Sequence, residues 1–141
     1  IRLPPRSTLF PYTTLFRSAG SSIITNLKEL HLERNEISDA GAKAIAGSAN
    51  FSYLNFINLW KNKVGAEGAK AIASSTILVN LKSLDLAQNN IGDEGAKALA
   101  ESNTLAGLEL LEIFGSGLTD EGKKQLKETT AFPKLQTLVV E

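Results

Sequence analysis

The string LKELHLERNEI, beginning at Leu27, returns as LNFINLWKNKV from Leu54 and as LKSLDLAQNNI from Leu81. A looser copy, LELLEIFGSGL, begins at Leu108, and a fifth, LQTLVV, begins at Leu135. Successive starts are 27 residues apart with no insertion. This period constrains the fold more than any other feature. A unit of that length cannot bury its own apolar side, so each unit must stack on the one before and the one after it.

Within a unit, L-x-x-L-x-L alternates apolar and variable positions, the pattern of a short strand with one buried face, and Leu30 and Leu32 are expected to point inward. Asn35, Asn62 and Asn89 then share a column, where an asparagine at a sharp bend can satisfy backbone groups that the strand no longer pairs. Ile37, Val64, Ile91 and Leu118 form the next apolar column. DAGAKAIA from Asp39, DEGAKALA from Asp93 and DEGKKQLK from Asp120 predict helices, with the aspartate as N-cap and acidic first turns suiting the helix dipole. Gly41, Gly68, Gly95 and Gly122, followed mostly by alanines, are expected to let each helix approach the strand layer closely. Ile45, Ile72, Leu99 and Leu126 would anchor the helix, and Phe51, Leu78, Leu105 and Phe132 would close the unit.

Together these positions read L-x-x-L-x-L-x-x-N-x-[IVL]-x-x-x-G-A-K-A-[IL]-A, a pattern that resembles the ribonuclease-inhibitor subtype of leucine-rich repeats over Ala19 to the end of the chain. The resemblance implies an α/β fold: a right-handed solenoid, a horseshoe segment with parallel strands on its concave face and helices on its convex face. It also implies a protein-binding role and favours a cytoplasmic location.

The first eighteen residues stand apart. They hold three of the four prolines, three of the four arginines and no acidic residue. Pro4 to Ser18, PPRSTLFPYTTLFRS, resembles the conceptual translation of a sequencing-adapter oligonucleotide, so residues 1–18 are expected to be non-native and disordered and are set aside from the fold. A natural proline-rich arm or a targeting peptide is the alternative. Shifting by 54 places Ala19 to Asn26, AGSSIITN, on Ala73 to Asn80, ASSTILVN, so repeat register is expected to begin at Ala19, in a domain spanning 19–141. Both ends then fall inside a repeat, which predicts apolar edges and marginal stability or self-association.

Charge and inventory narrow the function. Fifteen bases less Arg2, Arg6 and Arg17 leave twelve against fifteen acids, a formal charge near −3 for residues 19 to 141. An acidic surface argues against nucleic acid, whose binding rests on several lysines or arginines neutralising phosphates. No stretch reaches the roughly 18 to 20 apolar residues that cross a bilayer, so no membrane insertion is expected. Cysteine is absent and His31 is the only histidine, which leaves no thiolate site, no supported triad, and an H-x-E at His31 and Glu33 too sparse for a metal. Asp85 and Glu112 are expected to be neighbours, a separation at which carboxylates serve some glycosidases, but parallel ladders place side chains so routinely and no sugar pocket is implied. The chain is therefore read as no enzyme, with no cofactor, no metal and no small-molecule substrate.

Three columns of variable residues project from the strand face. Glu29, Phe56, Ser83, Leu110 and Thr137 form one; His31, Asn58, Asp85, Glu112 and Val139 the second; Glu33, Trp60, Ala87, Phe114 and Glu141 the third. Neighbouring strands lie about 4.8 Å apart, so residues along a column are contiguous. Phe56, Trp60, Leu110 and Phe114 are apolar where the core does not need them, and an exposed aromatic cluster rimmed by charge suits a protein partner. Glu29, Glu33, Asp85 and Glu112 make the stripe acidic, with Lys28, Arg34, Lys61 and Lys82 at its flanks. Lys43, Lys70, Lys97 and Lys124 recur on the helices, either as a basic strip for an acidic partner or as a solvated face. The reading favoured is a protein-interaction module. The alternatives are a GTPase-activating or other regulatory protein that uses these repeats as its scaffold, and the sensing end of a larger receptor or effector.

Overall fold

The computed structural model describes residues 26–141. The expectations about residues 1–18 and about the register from Ala19 lie outside those residues. Five strands of three residues each alternate with four helices: β1 (Glu29–His31), α1 (Asp39–Gly47), β2 (Phe56–Asn58), α2 (Ala66–Ala73), β3 (Ser83–Asp85), α3 (Gly92–Ala100), β4 (Leu110–Glu112), α4 (Asp120–Glu128) and β5 (Thr137–Val139), with a 3-10 turn at Ala49–Phe51. The strands form one parallel sheet in chain order. Leu30 pairs with Ile57, Ile57 with Leu84, Leu84 with Leu111 and Leu111 with Leu138, so the register advances by one repeat per strand.

The core lies between sheet and helices. Leu30, Ile57, Leu84 and Leu111 from the strands, Ile45, Ile72, Leu99 and Leu126 from the helices, and the closing Phe51, Leu78, Leu105 and Phe132 are all buried. Adjacent strands sit about 4.8 Å apart while packed helices need 8 to 10 Å. A stack with one strand and one helix per repeat must therefore curve, with the sheet on the inside.

Three residues after each of β1 to β4 the chain turns through a residue in the left-handed region: Arg34 (φ 60°), Lys61 (56°), Gln88 (53°) and Gly115 (64°). Only the last is a glycine, and for the others this conformation costs about 1–2 kcal/mol. The following residue supplies the offsetting bonds. Asn62 Nδ2 donates to the carbonyls of Leu59 (3.0 Å) and, in the preceding repeat, Leu32 (2.9 Å), while its Oδ1 accepts the Ile37 amide (3.0 Å). Asn89 repeats the set on Leu86, Leu59 and Val64. In the fourth repeat Ser116 takes the place, donating to the Leu86 carbonyl at 2.7 Å and accepting the Asn89 amide. Asn35 donates to Leu32 and Glu33 in its own turn. The asparagine column thus does what the sequence suggested and also ties each repeat to the one before.

Two expectations about the helices need correction. Asp39 does not cap its own helix, of which it is the first residue; its Oδ1 accepts the amides of Gly65 and Gly68, both at 2.7 Å, at the N-terminus of the next helix. Asp93 likewise accepts the Thr119 amide (2.9 Å) and hydroxyl (2.6 Å) of the following repeat. The glycines, in turn, face the preceding helix rather than the strand layer. A Cβ on Gly68 would lie 2.7 Å from Asp39 Oδ1 and 2.9 Å from Ala42 Cβ, and one on Gly122 would lie 2.1 Å from Asp93 Oδ1. The D-x-G pattern is therefore a relation between repeats: the aspartate reaches into space that the glycine one repeat later leaves open. Gly95 follows Ala66 instead of an aspartate, and there the open space is limited by Ile91 and Ala69. Gly41 is buried in α1.

A hydroxyl column does the same work at the other helix end. Ser75 Oγ donates to the Ala46 carbonyl and Ser102 Oγ to the Ala73 carbonyl, each at 2.6 Å, and Thr129 Oγ1 bonds the Ala100 carbonyl. Each hydroxyl satisfies a C-terminal carbonyl of the preceding helix, which has no intrahelical partner. On the outer helix face Lys43 meets Glu67 (3.9 Å), and Lys70 meets Glu67 (3.0 Å) and Glu94 (3.6 Å). Lys43 and Lys70 are thus matched by glutamates of the adjoining helices, which counts against a basic strip there.

Candidate functional site

The strand face away from the helices is built by alternation. Because Leu30, Ile57, Leu84 and Leu111 point into the core, their neighbours point out, and the pairing register assembles the predicted columns. Glu29, Phe56, Ser83, Leu110 and Thr137 align, as do His31, Asn58, Asp85, Glu112 and Val139. The third column is aligned by bonds just beyond the strands: the Arg34 amide donates to Trp60, the Lys61 amide to Ala87 and the Gln88 amide to Phe114. Glu33, Trp60, Ala87 and Phe114 therefore stand in sequence across the face.

The apolar members are less exposed than the sequence suggested. Phe56, Trp60, Leu110 and Phe114 are all half-buried, because a side chain in a parallel ladder is screened by its neighbours on either strand. The His31 ring lies 4.8 Å from the Phe56 ring, and the Arg34 guanidinium sits 5.8 Å from the centre of the Trp60 ring. Ala87 is fully buried, at 0 % exposure between Trp60 and Phe114, and is removed from the set of candidate contacts. Among the described residues the exposed large hydrophobics are Tyr53 (58 %) and Val79 (49 %), both in the loops that lead into β2 and β3, which the sequence reading did not single out.

Polar groups on the face divide into those used internally and those that are not. Asn58 Oδ1 accepts the Trp60 amide and Asp85 Oδ1 the Ala87 amide, both at 2.9 Å, so each stiffens the turn after its strand. His31 Nε2 bonds Glu29 at 3.1 Å, and Glu141 bonds Lys127 at 3.0 Å. Ser83 and Glu112 stay half-buried on the face. Burial pushes the Asp85 carboxyl up to about 6, with Glu112 and Glu33 adding repulsion and the Ala87 amide opposing it. Glu141 is held below the usual carboxylate range by its bond to Lys127.

No group of three potential metal ligands occurs among the described residues, and no helix there is long and apolar enough to cross a membrane. Among the described residues, grooves lie between successive helix ends, such as one of about 490 Å³ lined by Glu101, Asn103, Thr130 and Pro133 among others.

What the sequence reading missed was legible in its own columns. Ser48, Ser75, Ser102 and Thr129 recur at the same period, and Asp39 and Asp93 stand in one column with Ala66 between them. Their role became clear only when the partner repeat was in place.

Three segments of the chain, residues 24–46, 52–73 and 78–100, match the family model of the leucine-rich repeat. No curated protein matches the chain. Among solved structures, an internalin from Listeria monocytogenes is similar at 20% identity and a TM-score of 0.46, over 79% of this chain and 34% of that one. This chain thus spans about a third of that protein's length.

Proposed function

We propose that this chain, an α/β leucine-rich-repeat solenoid, is a non-catalytic protein-interaction module that binds its partner on the concave strand face. The observation that carries this reading is the run of side chains the core does not use: Phe56 and Trp60 from one repeat, Leu110 and Phe114 from another, with Asp85 and Glu112 beside them in register. Half-buried aromatics next to carboxylates offer apolar contact area at low entropic cost together with groups that set specificity. Glu29, His31, Glu33, Asn58 and Ser83 complete the proposed contact set. The repeat pattern resembles that of the ribonuclease-inhibitor subtype.

The test is selection of peptide ligands from a displayed random library, followed by amide chemical-shift mapping of the selected peptides on the chain. The expected outcome is a perturbed set centred on residues 56–60, 83–87 and 110–114, and loss of binding in a Trp60→Ala, Phe114→Ala double variant that keeps its helical circular dichroism. Ligands that map to the helices, with the double variant binding unchanged, would overturn the reading.

A further inference from the structure

Three observations on the strand face combine. The carboxylates of Asp85 and Glu112 are register partners on β3 and β4, and neither has an ion-pair partner among the described residues, whereas Glu29 bonds His31 and Glu141 bonds Lys127. No lysine or arginine stands in the three columns, and of those that flank the face Lys82 is engaged with Glu109 at 3.4 Å. In the next column the buried Ala87 follows Asp85 and Phe114 follows Glu112, with Trp60 on the other side of Ala87, so the two aromatic side chains flank Ala87 as an apolar pad. The chain itself shows what such a ring accepts, since Arg34 already lays its guanidinium over Trp60.

We propose that this face docks an extended partner segment through one arginine side chain, whose stem crosses the Trp60–Phe114 pad and whose guanidinium bridges Asp85 and Glu112. The assignment rests on the concave-face reading above and names the chemistry of its partner. Arginine fits where lysine does not. Its planar, weakly hydrated guanidinium stacks on aromatic rings and presents parallel N–H groups to carboxylates, and two unneutralised carboxylates side by side supply the complementary charge. Asp85 Oδ1 is held by the Ala87 amide, so its Oδ2 is the oxygen presented to the ligand. An extended segment lying across the strands would pass over the small Ser83 side chain, leaving room for its backbone between Phe56 and Leu110.

Trp60 is the only tryptophan in the chain, so its fluorescence reports on this position directly. The experiment titrates the full chain with blocked nine-residue peptides of alternating threonine and leucine that carry arginine, lysine, glutamine or glutamate at the centre. The expected result is a saturable response to the arginine peptide, with glutamine about tenfold weaker or worse, lysine in between, and glutamate giving none. An Asp85→Asn, Glu112→Gln variant should lose about tenfold in affinity for the arginine peptide while its weak binding of the glutamine peptide is unchanged. Glu112→Gln alone serves as a milder variant if the double one folds poorly. Equal binding of the arginine and glutamine peptides, mapped by amide shifts to the strand face, would overturn the arginine site and leave the concave-face reading standing. Peptides that bind only at the helices, or no saturable response to arginine, would overturn the site itself.

Discussion

Asp39 Oδ1 accepts the amide of Gly68, 29 residues later, at 2.7 Å, at the very point where any side chain on residue 68 would collide with it. A carboxylate at a helix N-terminus both satisfies orphan amides and meets the positive end of the helix dipole. Here the carboxylate comes from the repeat before, so a local helix cap has become a joint between repeats. Asp39→Ala is expected to lower stability by about 1–2 kcal/mol. Asp120→Ala, at an exposed first position of α4, should cost at most about 0.5 kcal/mol. Urea unfolding of the two variants side by side measures the difference, and equal costs would show that Asp39 acts only on its own helix.

The glycine partner gives a second prediction. Glycine in a helix is ordinarily worse than alanine by about 1 kcal/mol, so Gly122→Ala should stabilise if nothing opposed it. The new Cβ would meet Asp93 Oδ1, and we expect a net loss of about 1–3 kcal/mol instead. In an Asp93→Ala background much of that loss should disappear. A double-mutant cycle by thermal or urea unfolding reads the coupling, and additivity of the two substitutions would refute a shared space.

The asparagine ladder gives a third. Asn89→Ala leaves the Leu59 and Leu86 carbonyls and the Val64 amide without their partner, at a cost of about 2–4 kcal/mol. Asn89→Ser should cost clearly less, because Ser116 already fills the equivalent place one repeat on. Comparable denaturation midpoints for the alanine and serine variants would contradict this.

Asp85 predicts the direction of a pH effect. Its carboxyl is raised from an ordinary 3.8 to about 6, so the folded chain binds this proton more tightly than the unfolded chain does. Stability from this group is therefore gained as pH falls from about 6 towards 4 and is lost as pH rises through the same window. Glu112 on β4 and Glu33 in the first repeat face it with like charge, Asn58 on β2 is neutral, and the Ala87 amide is the one group that favours the ionised form. After discounting for the solvent that still reaches this half-exposed group, the gain is on the order of 1 kcal/mol. Below that window Asp93 works the other way: its carboxyl is held low by Thr119, so its contribution is lost as pH falls through its lowered folded value. A thermal-unfolding profile should rise as pH falls from about 6 towards 4, and Asp85→Asn should flatten the slope across that window. An unchanged slope in that variant would assign the effect to other groups.

The sequence by itself determined the period, the strand–turn–helix order, the buried columns and the side chains that line up on the strand face, because all of these follow from spacing within one repeat. A leucine at every third or second position has only one side it can bury, and a strict 27-residue period leaves one register. The tertiary structure decided what depends on the neighbour. It made Asp39 and Asp93 caps for the next helix rather than their own, turned the glycines towards the preceding helix, and gave the hydroxyl column a carbonyl to bond. It also decided exposure: Ala87 is fully buried and Trp60 and Phe114 are half-buried, while Asp85 lost enough water to raise its carboxyl. The physical reason is the same throughout. Alternation along a strand says which way a side chain points, but burial and hydrogen bonding depend on what stands about 4.8 Å away on the next strand, or one helix over, and that atom belongs to a residue 25 to 30 positions distant.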